Sequence, residues 1–255
     1  MLFAIDIGNT NIVFGIYEDK NIIDYWRISS DPHKTADEYG LLFCDLLKYA
    51  NVGMKDVDNV IIASVVPPLT SVFIRMVQRY LKTTPIIVDE NTKTGLKICY
   101  DNPGDVGADR IVNAVAAYAA YGGPVIIVDF GTATTFCAVS KEAEYLGGVI
   151  VPGILISLEA LSQKAAKLPK VTLEPPKTVI GRSTVSSIQS GIIYGYAGMV
   201  DELVERIKKE MGGEPYIIAT GGLAEMIVPQ TRNIKEINPI LTLEGLRIVF
   251  EMNNK

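Results

Sequence analysis

The chain has 255 residues, of which 48% are apolar and 21% charged, with a formal charge of −5. That composition fits one large packed domain or two modest ones and argues against disorder and against a phosphate-neutralising nucleic-acid surface. A single histidine, His33, excludes a multi-histidine metal site, and three scattered cysteines (Cys44, Cys99, Cys137) with no CxxC pair argue against a disulfide framework or a thiolate zinc site.

The first apolar run, residues 2–8, ends in an acid and a glycine, Asp6-Ile7-Gly8, and reads as a buried strand. Residues 11–17 and 22–28 read as two further strands joined by the polar turn at 18–21, an antiparallel meander. A helical stripe over 35–49 places Leu42, Leu46 and Tyr49 on one face. Residues 60–65 predict a strand, 69–81 a helix and 84–88 a strand. A helix opens after Gly107, with Asp109 in its first turn and Ile111, Val115 and Tyr118 as its apolar positions.

The opening pattern then returns. Residues 124–131 are again an apolar run closing in Asp129-Phe130-Gly131, followed by Thr132-Ala133-Thr134-Thr135. Strands over 136–139 and 145–151 complete a second meander, so the chain contains two copies of one supersecondary unit. Helices are expected over 154–166 and 186–211, a strand over 216–220, a short helix over 223–227 and a terminal helix over 241–252. The turn signal Tyr121-Gly122-Gly123-Pro124 divides the copies, which sets domains at 1–121 and 122–255.

Several segments carry the residue types of phosphate chemistry. Gly8 and Gly131 permit close backbone approach, and Asn9, Thr10 and Asn11 offer short donors to phosphate oxygens. Asp6 is a hard oxygen ligand suited to Mg²⁺ through water. Two such turns from two copies of one fold could face each other and enclose a triphosphate; one alone is equally an ordinary hairpin. Ala219-Thr220-Gly221-Gly222 closes a strand with paired glycines, which suits the flat face of a nucleoside and equally a plain strand-to-helix turn. Asp109 is either an acid opposing a helix dipole or a base for a substrate hydroxyl, with Arg110 able to bind an anion bidentately. Thr184 is either the N-cap of the 186–211 helix or a substrate contact, and Gly191, Gly195 and Gly198 on that helix permit close approach of another helix. His33 reads as a solvated loop residue, and the cysteines as reduced and buried.

Taken together these residues resemble the acetate and sugar kinase, heat-shock 70 and actin superfamily, and within it the type III pantothenate kinases. The motifs stand as Asp6-Ile7-Gly8-Asn9-Thr10-Asn11, Gly107-Ala108-Asp109-Arg110, Asp129-Phe130-Gly131-Thr132-Ala133-Thr134, Gly147-Gly148-Val149-Ile150-Val151-Pro152-Gly153 and Gly181-Arg182-Ser183-Thr184, in order along essentially the whole chain. The resemblance implies an α/β fold of duplicated ribonuclease H-like, actin-like ATPase domains with mixed sheets and an ATP cleft between them. It implies ATP-dependent phosphorylation of pantothenate to 4′-phosphopantothenate, the first step of coenzyme A synthesis. It also implies a phosphate-binding turn of Asp6, Ile7, Gly8, Asn9, Thr10, Asn11, Ile12 and Val13, with Thr132 adding a contact. Asp109 would be the catalytic base; Tyr100, Gly107, Ala108, Asp109, Arg110 and Thr184 would bind pantothenate. Asp129 would hold a monovalent cation, K⁺ or NH₄⁺, alongside Mg²⁺, and the active species would be a homodimer. Two other readings stay open: another small-molecule kinase of the superfamily acting on a sugar or polyphosphate, and a non-catalytic regulator on the same fold. No apolar run approaches the ~18 residues of a membrane span, and Asp6 interrupts the apolar N-terminus, so a cytoplasmic protein without membrane or nucleic-acid partner is expected.

Overall fold

The computed structural model describes residues 1–254. Its elements in chain order are β1 (Leu2–Ile7), β2 (Asn11–Glu18), β3 (Asn21–Ser29), α1 (Ala36–Tyr49), β4 (Asn59–Ser64), α2 (Pro67–Met76), β5 (Ile86–Ile87), β6 (Lys97–Ile98), α3 (Ala108–Tyr121), β7 (Val125–Phe130), β8 (Ala133–Val139), β9 (Glu144–Pro152), α4 (Ile154–Lys164), α5 (Thr184–Met211), β10 (Tyr216–Thr220), α6 (Ala224–Ile227), β11 (Glu236–Ile237) and α7 (Leu241–Asn253). They form two units. One comprises Met1–Leu96, Tyr100–Ala116 and the segment from Ile240; the other comprises Lys97–Cys99 and Ala117–Pro239.

The first unit is built on a five-stranded sheet of order β3-β2-β1-β4-β5. β1, β2 and β3 form the expected antiparallel meander, and β4 and β5 add in parallel. Side chains alternate across a strand, so β1 sends Phe3, Ile5 and Ile7 to one face and Leu2 and Ala4 to the other. The first set packs with Phe14, Tyr39, Phe43 and Phe73 under α1 and α2. The second set packs with Val112 and Val115 of α3 and with Leu243, Leu246 and Val249 of α7. Each buried leucine or valine contributes about 1.5–3 kcal/mol, so the apolar face of α7 fixes where that helix belongs. The sequence reading placed this segment in the second domain; its contacts place it in the first. The crossing with α3 is close: a Cβ on Gly245 would overlap the Val112 backbone. α1 starts with a capping box in which Glu38 N–H donates to Thr35 Oγ1 and Thr35 N–H to the Glu38 carboxylate.

The second unit repeats the plan. Its sheet runs β11-β10-β7-β8-β9-β6, the same order as the first with β6 added beside β9. β7, β8 and β9 are antiparallel, and β10 and β11 are parallel. β1 and β7 even share one burial pattern, four buried residues, a half-buried acid and a buried residue. Ile126, Val128 and Phe130 face α4, α5 and α6, together with Phe136, Ile193, Ala197, Val200 and Ile227. Two two-residue strands, β6 and β11, escape sequence reading because a period of two needs more residues to show. The predicted helix over 69–81 ends as α2 at Met76 and continues as a wider π-type turn, Val77–Leu81. Of the cysteines only Cys137 is buried; Cys44 is half-buried and Cys99 exposed, which corrects the expectation that all three are interior. His33 is exposed in its loop, as expected.

Candidate active site

In the first unit the β1–β2 turn is a tight hairpin. Gly8 N–H donates to Asn11 O at 3.0 Å, and Ser30, just past β3, clamps it: Ser30 Oγ donates to Gly8 O at 2.6 Å and Ser30 N–H to Thr10 O at 2.9 Å. Ser30 carries no motif signal, and sequence reasoning missed it. Asn9 and Thr10 are exposed at the tip and Asn11 is half-buried. Ile7 and Ile12 are fully buried opposite one another, so their side chains belong to the core and only their main chain is available at the turn. Asp6 and Val13 are paired and half-buried. By alternation Asp6 shares the face of Leu2 and Ala4, the face that α3 covers.

α3 carries the second group on that same face. Asp109 lies in its first turn and is half-buried. Its Oδ1 accepts the Arg110 N–H at 2.8 Å. Burial raises the Asp109 carboxyl above the ordinary carboxylate range, partly offset by that hydrogen bond and by the positive charge of Arg110. Arg110 is buried, 6% exposed, not a solvated loop arginine. Gly107 precedes the helix and its carbonyl accepts from Arg110 N–H and Ile111 N–H. Ala108 and Tyr100 are half-buried.

In the second unit Asp129 stands one residue from the end of β7, half-buried, paired with Thr135 and with Thr220 of β10. The turn after it mirrors the first: Gly131 N–H donates to Ala133 O at 3.1 Å, and Gly131 and Thr132 are exposed. Two glycines crowd this turn. A Cβ on Gly153 would overlap the Thr132 carbonyl, which gives the motif over 147–153 a steric reason. A Cβ on Gly221, whose φ is +95°, would sit 2.5 Å from Asp129 Oδ1 and 2.6 Å from Phe130 N and C. Thr184 is exposed in the first turn of α5, but the N-cap is Ser183, whose Oγ accepts the Ser186 N–H at 3.1 Å. The N-cap reading of Thr184 is therefore corrected by one residue. Among the described residues no helix is long and apolar enough to cross a membrane.

Two mixed sheets of one strand order, each with an acid-glycine turn after its first strand, define the actin-like ATPase fold. Solved structures share it. A conserved Campylobacter jejuni protein assigned to the Baf family of transcriptional activators aligns over 99% of this chain and 98% of its own, at 18% identity and a TM-score of 0.61. Component A of the Acidaminococcus fermentans (R)-2-hydroxyglutaryl-CoA dehydratase aligns over 100% and 99%, at 12% identity and 0.58. The ROK hexokinase of Thermus thermophilus aligns over 100% and 99%, at 12% identity and 0.53. At these identities the likeness concerns the fold alone. The family is given by sequence: the family model of the type III pantothenate kinases matches residues 2–206, and the chain belongs to that family. Its activity is that of a pantothenate kinase, transferring phosphate from ATP to pantothenate to form 4′-phosphopantothenate.

Proposed function

We propose that Asp109 is the general base of this reaction, taking the proton of the primary hydroxyl of pantothenate as its oxygen bonds to the γ-phosphorus and the β–γ bridging bond breaks to release ADP. The observation that carries this reading is the half-buried carboxylate on the first turn of α3, its pKa raised by burial, with Arg110 next to it. A carboxylate whose pKa is raised is a better proton acceptor. Tyr100, Gly107, Ala108, Arg110 and Thr184 are assigned to pantothenate, Arg110 pairing with its carboxylate. Residues 6–13 are assigned to the ATP phosphates, Asn9, Thr10 and Asn11 by side chain and Ile7 and Ile12 by main chain. Thr132 is assigned a further phosphate contact.

Each acid-glycine turn offers one carboxylate and small hydroxyl or amide donors. That donor set fits an ion that keeps most of its waters and binds through phosphate oxygens, as Mg²⁺ does, and Asp6 is assigned to it. When bound, such an ion would supply positive charge to offset that building on the transferred phosphoryl group. Asp129 is assigned to a monovalent cation, K⁺ or NH₄⁺, whose charge would offset repulsion between carboxylate and phosphate. We place the enzyme in the cytoplasm and take 1–121 and 122–255 as the two copies of the actin-like domain along the sequence, distinct from the packing units.

The active species is proposed to be a homodimer built on α5. Ile188, Ile193 and Val200 are buried within the second unit and take no part in that interface. The opposite side does: Gly191, Gly195 and Gly198 are exposed, with no neighbouring atom within 4 Å of where a Cβ would stand, and Leu155, Ile156, Val179, Ile180 and Val185 in the same unit are exposed apolar side chains. Exposed large apolar side chains are what a subunit interface would cover.

The test is ADP release with ATP, with and without pantothenate, in potassium, ammonium or sodium. The expectation is pantothenate-dependent turnover that needs potassium or ammonium and falls about 10²–10⁴-fold in Asp109→Asn with ATP binding kept. Near wild-type turnover in that variant would remove Asp109 as base, and full activity in sodium alone would remove the cation assignment from Asp129.

A further inference from the structure

A glycine is often explained by a left-handed backbone, but Gly107 has no positive φ. Its main chain is one that any residue adopts without strain, so conformational freedom does not explain it. The space around it does. A Cβ at this position would lie 3.5 Å from Val65 Cγ1, an ordinary contact, and 2.5 Å from Asp109 Oδ1, an impossible one. The only atom in the way is the carboxylate oxygen that accepts the Arg110 N–H at 2.8 Å. The same N–H also reaches the Gly107 carbonyl at 3.0 Å, so the glycine and the carboxylate share one donor at the start of α3.

We propose that Gly107 is a positioning residue for the phosphoryl transfer: the missing side chain lets Asp109 rest Oδ1 on the α3 N-terminus, which leaves Oδ2 as the oxygen aimed at the substrate hydroxyl. This rests on the assignment of Asp109 as base. With one oxygen tied down, the carboxylate cannot rotate about its last bond, and the second oxygen keeps one direction. A methyl group at 107 would need roughly an ångström more room, since carbon contacts settle near 3.5 Å. The carboxylate would swing away, lose the Arg110 N–H and lose its aim. Misplacement of about an ångström costs roughly 10²-fold in rate.

The experiment is steady-state kinetics of the full-length enzyme with ATP and pantothenate for Gly107→Ala, Asp109→Asn and the double variant. Gly107→Ser joins them: it puts Cβ in the same place but can cap the helix, so it keeps the clash if the alanine variant folds poorly. The expected result is a kcat lowered roughly 10–100-fold in Gly107→Ala and Gly107→Ser, with KM for pantothenate changed far less than kcat, and little further loss when Gly107→Ala is added to Asp109→Asn. A rise in pantothenate KM at full kcat would reduce Gly107 to a binding contact alone and overturn the proposal. So would equal losses in both backgrounds, or full activity of the glycine variants beside a dead Asp109→Asn. Wild-type turnover in Asp109→Asn would instead bring down the base assignment, and this proposal with it.

Discussion

Gly221 is the position where a single methyl group should do most damage in the second unit. In Gly221→Ala the new carbon falls 2.5 Å from Asp129 Oδ1 and 2.6 Å from Phe130 N and C. The carboxylate can swing aside, but the Phe130 backbone cannot: β7 is paired with β8 on one side and β10 on the other. The backbone at Gly221 also has φ +95°, and holding a residue with a side chain in such a conformation costs about 1–3 kcal/mol. Overpacking against fixed atoms adds about 1–3 kcal/mol. Taking about 4 kcal/mol for the two, and about 2–4 °C per kcal/mol for a chain of this size, melting should fall by roughly 8–16 °C. The displaced Asp129 carboxylate should weaken cation activation as well. Scanning calorimetry reads the first effect and a potassium titration of ADP release the second. A variant that melts within about 2 °C of wild type with an unchanged potassium dependence would refute the steric account of this glycine.

Asp109→Asn should melt higher than wild type at neutral pH even as it loses turnover. Burial raises the folded-state pKa of Asp109, so the stability of its protonated form is fully present below the unfolded value and is lost as pH rises through the raised one; the amide avoids that loss, and the gap between the two proteins should close on acidification. A constant gap across about pH 3–7 would contradict it. Gly195→Leu should leave the monomer's melting unchanged or slightly raised, because the position is open and glycine is a poor helix former by about 1 kcal/mol, yet should abolish the dimer in sedimentation velocity; an unaltered dimer would exclude α5 from the interface. Asp201→Ala should cost about 2–4 kcal/mol in chemical denaturation. Asp201 is buried on α5 and accepts from Arg232 N–H at 2.8 Å, Arg232 Nε at 3.0 Å and Asn233 Nδ2 at 3.3 Å, and the first of these donors is a main-chain group that would be left unpaired.

What could be read along the chain was whatever local chemistry marks locally. An apolar run closing in Asp-x-Gly is a strand entering a tight turn wherever it stands, so β1 and β7, their meanders and the duplication follow from the residues themselves. The helix over 35–49 shows in its own apolar spacing, which needs no distant neighbour. The carboxylates Asp6, Asp109 and Asp129 were visible for the same reason. Tertiary structure decided what depends on the neighbour. The apolar stripe of α7 says that one face is buried but not against which sheet, and only packing assigns Leu243, Leu246 and Val249 to the first unit. The glycines of α5 say that a helix could approach, and only the fold leaves that side open. Gly107, Gly153 and Gly221 look alike in sequence, as turn glycines do. The first yields room to a carboxylate, the second to a carbonyl and the third to both a carboxylate and a strand backbone, because what excludes a Cβ is the atom standing in its place, and no local pattern names that atom.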